Sequence, residues 1–106
     1  MPAVDDRQAR RHVRLTTDYG AAWPLWTVGP THPATLGVSE ALTARLADWN
    51  QLFQEHFSWD DGWRNPDARA RFAAEGPRLL RDLRRELPDD EVELDDWTQS
   101  GVAGSG

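Results

Sequence analysis

Residues 39–57, SEALTARLADWNQLFQEHF, predict the central helix of the fold. Large apolar residues recur there at spacings of four, three, four and four, which places them on one face of an α-helix. They are Leu42, Leu46, Trp49, Phe53 and Phe57. Ser39 is a favourable N-cap, and Glu40 lies in the first turn, where the helix dipole favours an acid. A helix with one apolar face has to bury it, so the rest of the chain must supply a covering layer.

A second helix begins at Asn65, Pro66 and Asp67, which supply an N-cap, a proline at the first helical position and an acid behind it. It is predicted to extend to about Leu87. Its apolar face is formed by Phe72, Leu79, Leu80, Leu83 and Leu87. Pro77 lies inside this helix, and proline lacks the N–H that would bond the carbonyl of residue 73. We therefore expect a kink or a short break at Pro77.

Three strands are expected outside the helices. Residues 13–19 alternate apolar and polar side chains, and residues 23–28 form an aromatic and β-branched run, so the two are interpreted as a β-hairpin. Residues 29–37 contain two prolines and are expected to be a loop. Residues 91–97 alternate acids with Val92 and Leu94, which predicts a third strand that ends at Trp97.

The order β-β-α-α-β predicts an α+β domain, with a small three-stranded sheet and two helices packed on one face. His12 and Arg14 on the first strand carry the opposite charge to the acids on the third. Opposite charges on neighbouring strands are favourable, so we place the third strand beside the first, with the order 1-2-3 as the alternative.

The length of 106 residues fits one domain. Residues 1–11 are expected to be a flexible arm, residues 12–97 the single domain, and residues 98–106 a flexible Gly/Ser-rich tail. There is no cysteine, which excludes disulfides and cysteine-ligated zinc. No apolar run approaches the length of a membrane span, so we expect a cytoplasmic protein without a membrane partner. The net charge of −6 argues against a nucleic-acid partner.

The connector between the two helices is the first candidate binding surface. Residues 57–64, FSWDDGWR, place two indoles, two carboxylates and a guanidinium around one glycine. The candidate binding residues are Trp59, Asp60, Asp61, Trp63 and Arg64. Tryptophan and arginine are enriched at binding hot spots, and carboxylates add charge specificity. The competing interpretation is structural, with both indoles folded back beneath the corner between the helices.

The acidic residues 89–96, DDEVELDD, form the second candidate surface, with Glu91, Glu93 and Asp95 as binding residues. Six carboxylates in succession could occupy a basic groove on a partner, because complementary charge speeds encounter and sets specificity. The competing interpretation is a solvated strand that charge protects from aggregation.

Other chemistries find less support. A tryptophan-lined site of Trp23, Trp26 and Trp63 is the alternative, for a small ligand or a carbohydrate. A metal-dependent hydrolase with His56, Asp60 and Asp61 is a weaker option, since no HExxH or comparable spacing is present. We predict no catalytic residue, no metal site and no cofactor.

The successions Asp18-Tyr19-Gly20, Trp23-Pro24-Leu25-Trp26 and Trp59-Asp60 resemble a group of short uncharacterised proteins of GC-rich bacteria. The resemblance covers about residues 13–97 and implies a whole small bacterial protein, with no activity or binding residue to carry over. From the residues, the leading hypothesis is a non-enzymatic protein-binding domain, immunity-like or a regulatory adaptor, with a protein partner whose contact surface is basic.

Overall fold

The computed structural model describes residues 11–98. The remaining parts of the expected arm and tail, residues 1–10 and 99–106, lie outside the described residues.

Residues 11–98 form an α+β domain, as predicted. The elements, in chain order, are β1 (His12–Leu15), β2 (Leu25–Trp26), α1 (Pro33–Leu36), α2 (Glu40–His56), β3 (Phe57–Ser58), β4 (Gly62–Trp63), α3 (Pro66–Glu86) and β5 (Glu91–Leu94). The main sheet has the order β2-β1-β5, with β1 antiparallel to β2 and parallel to β5. The strands β3 and β4 form a separate antiparallel pair.

The core lies between the main sheet and the helices α2 and α3. From the sheet it takes Val13, Leu15, Leu25 and Val92, which are all buried. From α2 it takes the predicted face, Leu42, Leu46, Trp49 and Phe53, and from α3 it takes Phe72, Leu79 and Leu83. Each of these large side chains contributes about 1.5–3 kcal/mol when it is fully buried. The spacing of apolar residues thus identified both the helices and the sides of them that face the sheet.

The placement of β5 beside β1 is confirmed. His12 lies opposite Glu91, and Arg14 lies opposite Glu93. The side-chain contacts run one step diagonally: His12 Nε2 lies 3.0 Å from Glu93, and an Arg14 nitrogen forms an ion pair with Asp95 at 2.7 Å. Exposed contacts of this kind contribute up to about 1 kcal/mol each. They therefore favour β5 beside β1 but add little to the stability of the whole domain.

The first two strands are shorter than expected, and the connection between them is not a tight hairpin. β1 ends at Leu15, and residues 16–24 connect it to β2 as a loop that the Thr16 N–H closes on the carbonyl of Pro24, at 2.9 Å. Pro24 has no N–H to donate, and the Thr27 N–H bonds the carbonyl of Gly29, which turns the chain away after Trp26. The antiparallel pairing itself is as predicted.

One further expectation was wrong, and the one made for Pro77 is narrowed. Residues 29–37 contain the one-turn helix α1, whose N-terminus is capped by His32 Nδ1 and whose C-terminus ends at Gly37 with a φ of 92°. The short break that was one of two outcomes expected at Pro77 is absent, since α3 continues from Pro66 to Glu86, and a kink within that helix stays a prediction. Gly76 precedes that proline, and a residue without Cβ avoids much of the clash that proline imposes on its neighbour. A Cβ there would also lie 3.4 Å from Leu94.

None of the helices described for residues 11–98 combines the length and the apolarity that a bilayer crossing requires.

Candidate binding surface

The connector between α2 and α3 is a short β-hairpin. Phe57 pairs with Trp63, and Ser58 pairs with Gly62. Gly62 has a φ of 71°, which is the left-handed conformation that a glycine adopts without strain. The Arg64 N–H closes the base of the hairpin on the carbonyl of His56, at 2.8 Å. The predicted surface is therefore carried by a hydrogen-bonded element, which holds its side chains in defined positions.

The two tryptophans of this connector hairpin have different environments. Trp63 is partly buried, with its ring centroid 5.3 Å from that of Phe57 and 5.0 Å from that of Phe72. Trp59, in the turn of the hairpin, is 81% exposed. Trp63 thus matches the structural interpretation, whereas Trp59 presents an indole to solvent.

The charged side chains of the connector hairpin are exposed around Trp59. The Ser58 hydroxyl donates to the carboxylate of Asp60 and is the main cause that lowers the pKa of Asp60. Backbone amides and the more distant Arg64 guanidinium act in the same direction. Asp61 lies 3.6 Å from Arg64. The turn therefore combines an exposed indole with two carboxylates and only one cation.

Two residues outside the connector extend this surface. The Tyr19 ring lies 6.2 Å from Phe57 and 6.0 Å from Trp97, and Trp97 lies 5.4 Å from Phe57. Tyr19 is half exposed. We call this part of the molecule the aromatic end, and it comprises Tyr19, Phe57, Trp59, Trp63 and Trp97. It joins the connector hairpin to the segments that follow β1 and β5.

Two amide side chains of α2 hold Tyr19 in this position. Gln54 accepts a hydrogen bond from the Gly20 N–H at 3.0 Å and donates one to the carbonyl of Asp18 at 2.9 Å. Asn50 donates to the carbonyl of Ala21 at 2.9 Å. The one sequence signal for the contact between α2 and residues 18–21 is the pair Asn50 and Gln54, which lie four residues apart beside the apolar face of α2.

The electrostatic surroundings of Tyr19 link it to the connector. Burial of the ring is the first cause that raises the pKa of its hydroxyl, and the carboxylates of Asp18 and Asp60 raise it further. Acids from two separate segments therefore act on one hydroxyl at the aromatic end.

The acids predicted on the third strand lie on the outer face of the sheet, opposite the helices. Glu91 and Glu93 are exposed, and Asp95 follows the end of β5. Glu93 and Asp95 pair with His12 and Arg14. Asp90 pairs with Arg11 at 2.6 Å, so part of the acidic run is neutralised within the domain. Trp97 connects the end of this run to the connector hairpin.

The residues of the two other hypotheses are not brought together. Trp63 lines a groove beside Pro66, whereas Trp26 lines another groove beside Trp97, and Trp23 contacts His32. Within residues 11–98, no group of three or more histidine and acidic side chains has the geometry to hold a metal ion.

Fold and surface together define a small two-layer α+β domain with an exposed aromatic and acidic end. The chain belongs to the family described as Serratia CdiI immunity protein-like, whose model matches residues 11–96. The match spans both long helices and all strands of the main sheet. A comparison with curated proteins finds no match. The family agrees with the hypothesis of an immunity-like domain that has a protein partner.

Proposed function

We propose that this protein is the immunity partner of a protein toxin, which it neutralises by binding through the aromatic end. The observation that carries the proposal is Trp59, 81% exposed in the turn of a hydrogen-bonded hairpin, in a chain of an immunity protein-like family. A large indole held in water gains free energy when a partner covers it, and tryptophan is among the residues most enriched at hot spots. Tyr19 supplies a second, half-exposed ring.

The charges of this surface suit a basic partner. Asp18, Asp60 and Asp61 are exposed around these rings, and the whole chain has a net charge of −6. Opposite charge on the toxin would accelerate association and exclude partners of the wrong charge. Glu91, Glu93 and Asp95 extend the acidic surface onto the sheet. Because Glu93 already contacts His12 and Asp95 is already paired with Arg14, we assign these acids to the rim of the interface.

The test uses the toxin domain encoded beside the gene in its native locus. Co-expression of the wild-type protein is expected to restore growth of cells that produce the toxin, and the purified pair should form a complex measurable by calorimetry. The Trp59→Ala variant should bind about 30-fold more weakly or worse, which corresponds to a loss of about 2 kcal/mol.

Val28 provides a matched control, because it is also a fully exposed apolar side chain but lies in the turn after β2. Val28→Ala should bind like the wild type. If Trp59→Ala also binds like the wild type, the aromatic end is not the interface. If the wild-type protein neither binds the toxin nor protects cells, the immunity function itself is refuted.

A further inference from the structure

We propose that a groove on the outer face of the sheet is a socket for a cationic side chain of the bound partner, arginine in preference to lysine. This inference rests on the proposed function and adds a specific chemical contact to it. The groove is lined by Arg14, Thr16, Asp18, Trp26, Asp95 and Trp97, and we call it the indole groove. Arg14 and Trp26 are direct cross-strand partners, so their side chains share this face of the sheet.

The two indoles of the groove are fixed by hydrogen bonds that use their only polar atoms. The Trp26 Nε1–H donates to the carbonyl of Thr16 at 3.0 Å. The Trp97 Nε1–H donates to the carbonyl of Thr17 at 2.8 Å. An indole has no second donor, so what these side chains still offer a ligand is their π surfaces. Such surfaces attract cations, and arginine more often than lysine.

The groove offers a ligand hydrogen-bond acceptors at Thr16 and Asp18, beside the guanidinium of Arg14. Thr16 is only 7% exposed, and its Oγ1 has no hydrogen-bond partner within residues 11–98. A buried hydroxyl without a partner costs free energy, which a ligand donor would recover if the groove side chains that cover this atom move aside. One carboxylate oxygen of Asp18 accepts from the Tyr19 N–H at 2.8 Å, which leaves the other oxygen for a ligand.

The charge balance of the groove also favours a cation. Asp18 and Asp95 supply two carboxylates against one guanidinium, and Arg14 is bound to Asp95 at 2.7 Å. A guanidinium brings five N–H donors and no acceptor, which suits the oxygens of Thr16 and Asp18. A sugar carries no charge, so it would gain nothing from the excess of carboxylates in the groove. An arginine side chain therefore matches the indole groove better than a sugar does.

The probe for this inference is N-acetyl-arginine amide, titrated into the full chain while the indole N–H resonances are followed by two-dimensional NMR. The Trp26 and Trp97 resonances should shift and saturate, with half-saturation between about 1 and 10 mM, as fits a single side chain at about −3 to −4 kcal/mol. The buried Trp49 resonance serves as an internal reference and should stay in place. The lysine analogue should bind more weakly, and the neutral citrulline analogue should cause no saturable shift.

Two variants separate a binding role of the groove from a structural one. Thr16→Val keeps the shape and removes the unpaired hydroxyl, so it should weaken the arginine probe about threefold or more without lowering stability. Asp18→Asn should weaken the probe at least as much, because it removes a carboxylate charge. Thr35→Val, at an exposed threonine of α1, is the matched control and should leave probe binding unchanged.

Several results would overturn the inference: no saturable shift at Trp26 and Trp97, equal shifts with the citrulline analogue, or a stronger response to methyl glucoside. Full toxin affinity in Thr16→Val and Asp18→Asn would also refute it, while leaving the proposed function intact. Failure of the wild-type protein to bind the toxin would refute the function. Arginine-specific shifts in that case would still show that the groove binds the cation.

Discussion

The seam between α2 and α3 and the hairpin that connects these helices both depend on tryptophan, but in opposite ways. In the seam, Trp49 is 1% exposed and stacks on Phe72, with centroids 4.1 Å apart and planes 9° apart. Its Nε1–H donates to the Phe72 carbonyl at 2.9 Å. In the connector hairpin, Trp59 is 81% exposed. The comparison shows that one side chain type, on adjoining elements, serves packing in one place and is left to solvent in the other.

Charged groups follow the same division. On the outer side of the seam, one Arg45 guanidinium reaches Glu75 at 3.0 Å and Asp82 at 2.7 Å, so it ties α2 to two turns of α3. The hydrogen bond from Arg45 is the main cause that lowers the pKa of Asp82. In the connector hairpin, the Asp61–Arg64 pair joins two residues three positions apart at the two ends of β4. The charged side chains of the seam therefore link α2 to α3, whereas those of the connector hairpin remain accessible to solvent.

Removal of the seam tryptophan should have the largest effect. Trp49→Ala empties the space beside Phe72, and we expect the free energy of unfolding to fall by about 3–5 kcal/mol. Trp59→Ala should change it by less than about 0.5 kcal/mol, as is usual for exposed positions. Urea denaturation followed by circular dichroism measures both. Similar losses in the two variants would contradict the division between seam and hairpin.

A finer test replaces the two indoles that contact Phe72. Trp49→Phe removes the bond to the Phe72 carbonyl and part of the ring, so it should cost about 1–3 kcal/mol. The Trp63 Nε1 is buried without a hydrogen-bond partner within residues 11–98. Trp63→Phe removes that unpaired donor, which offsets the lost contact, and should change stability by about 1 kcal/mol or less. The same denaturation assay compares them, and a larger cost for Trp63→Phe would show that its indole has a role in packing.

Local patterns in the sequence were sufficient for the two long helices, for the class of fold and for the strand order. The apolar spacing of residues 42–53 marks one face of α2, and Asn65 with Pro66 marks the start of α3. The opposite charges on β1 and β5 predicted that these strands are neighbours, because the stability of a cross-strand pair depends on which residue types face each other. The short break at Pro77 is absent although proline disfavours the α conformation of Gly76, because a residue without Cβ avoids much of that clash.

The aromatic end was only half predictable. The unusual composition of residues 57–64 pointed to the connector, but no spacing in the sequence connects it with Tyr19 and Trp97. Their contact depends on Gln54 and Asn50 bonding to backbone groups of a distant turn. The spacing of these two amides on α2 does not show which distant segment they bond, so such long-range contacts become visible only in the folded chain. The same is true of the indole groove, since Trp26 and Trp97 come from opposite ends of the domain.

The backbone of the connector hairpin provides a smaller test. A Cβ at Gly62 would meet no atom within 4 Å, so Gly62→Ala adds only the strain of a positive φ. We expect a loss of about 1 kcal/mol in stability. Asparagine tolerates this conformation better, so Gly62→Asn should lose less. If the two variants are equally stable, the turn does not depend on the left-handed conformation.

The smallest expected effect is the titration of Tyr19, the only tyrosine in the chain. Its ionisation can be followed by near-ultraviolet absorbance without interference from another phenol. Because burial and the carboxylates of Asp18 and Asp60 raise its pKa, the folded midpoint should lie above that of the urea-unfolded chain, at about 10. Asp60→Asn should move the folded midpoint part of the way down and leave the unfolded one unchanged.

A raised pKa in the folded state means that the neutral phenol of Tyr19 is favoured there. The stability that Tyr19 contributes is therefore present below about pH 10 and is lost as the pH rises through the folded midpoint. Equal midpoints in the folded and unfolded chains would show that Tyr19 does not pack between the connector hairpin and Trp97 in solution.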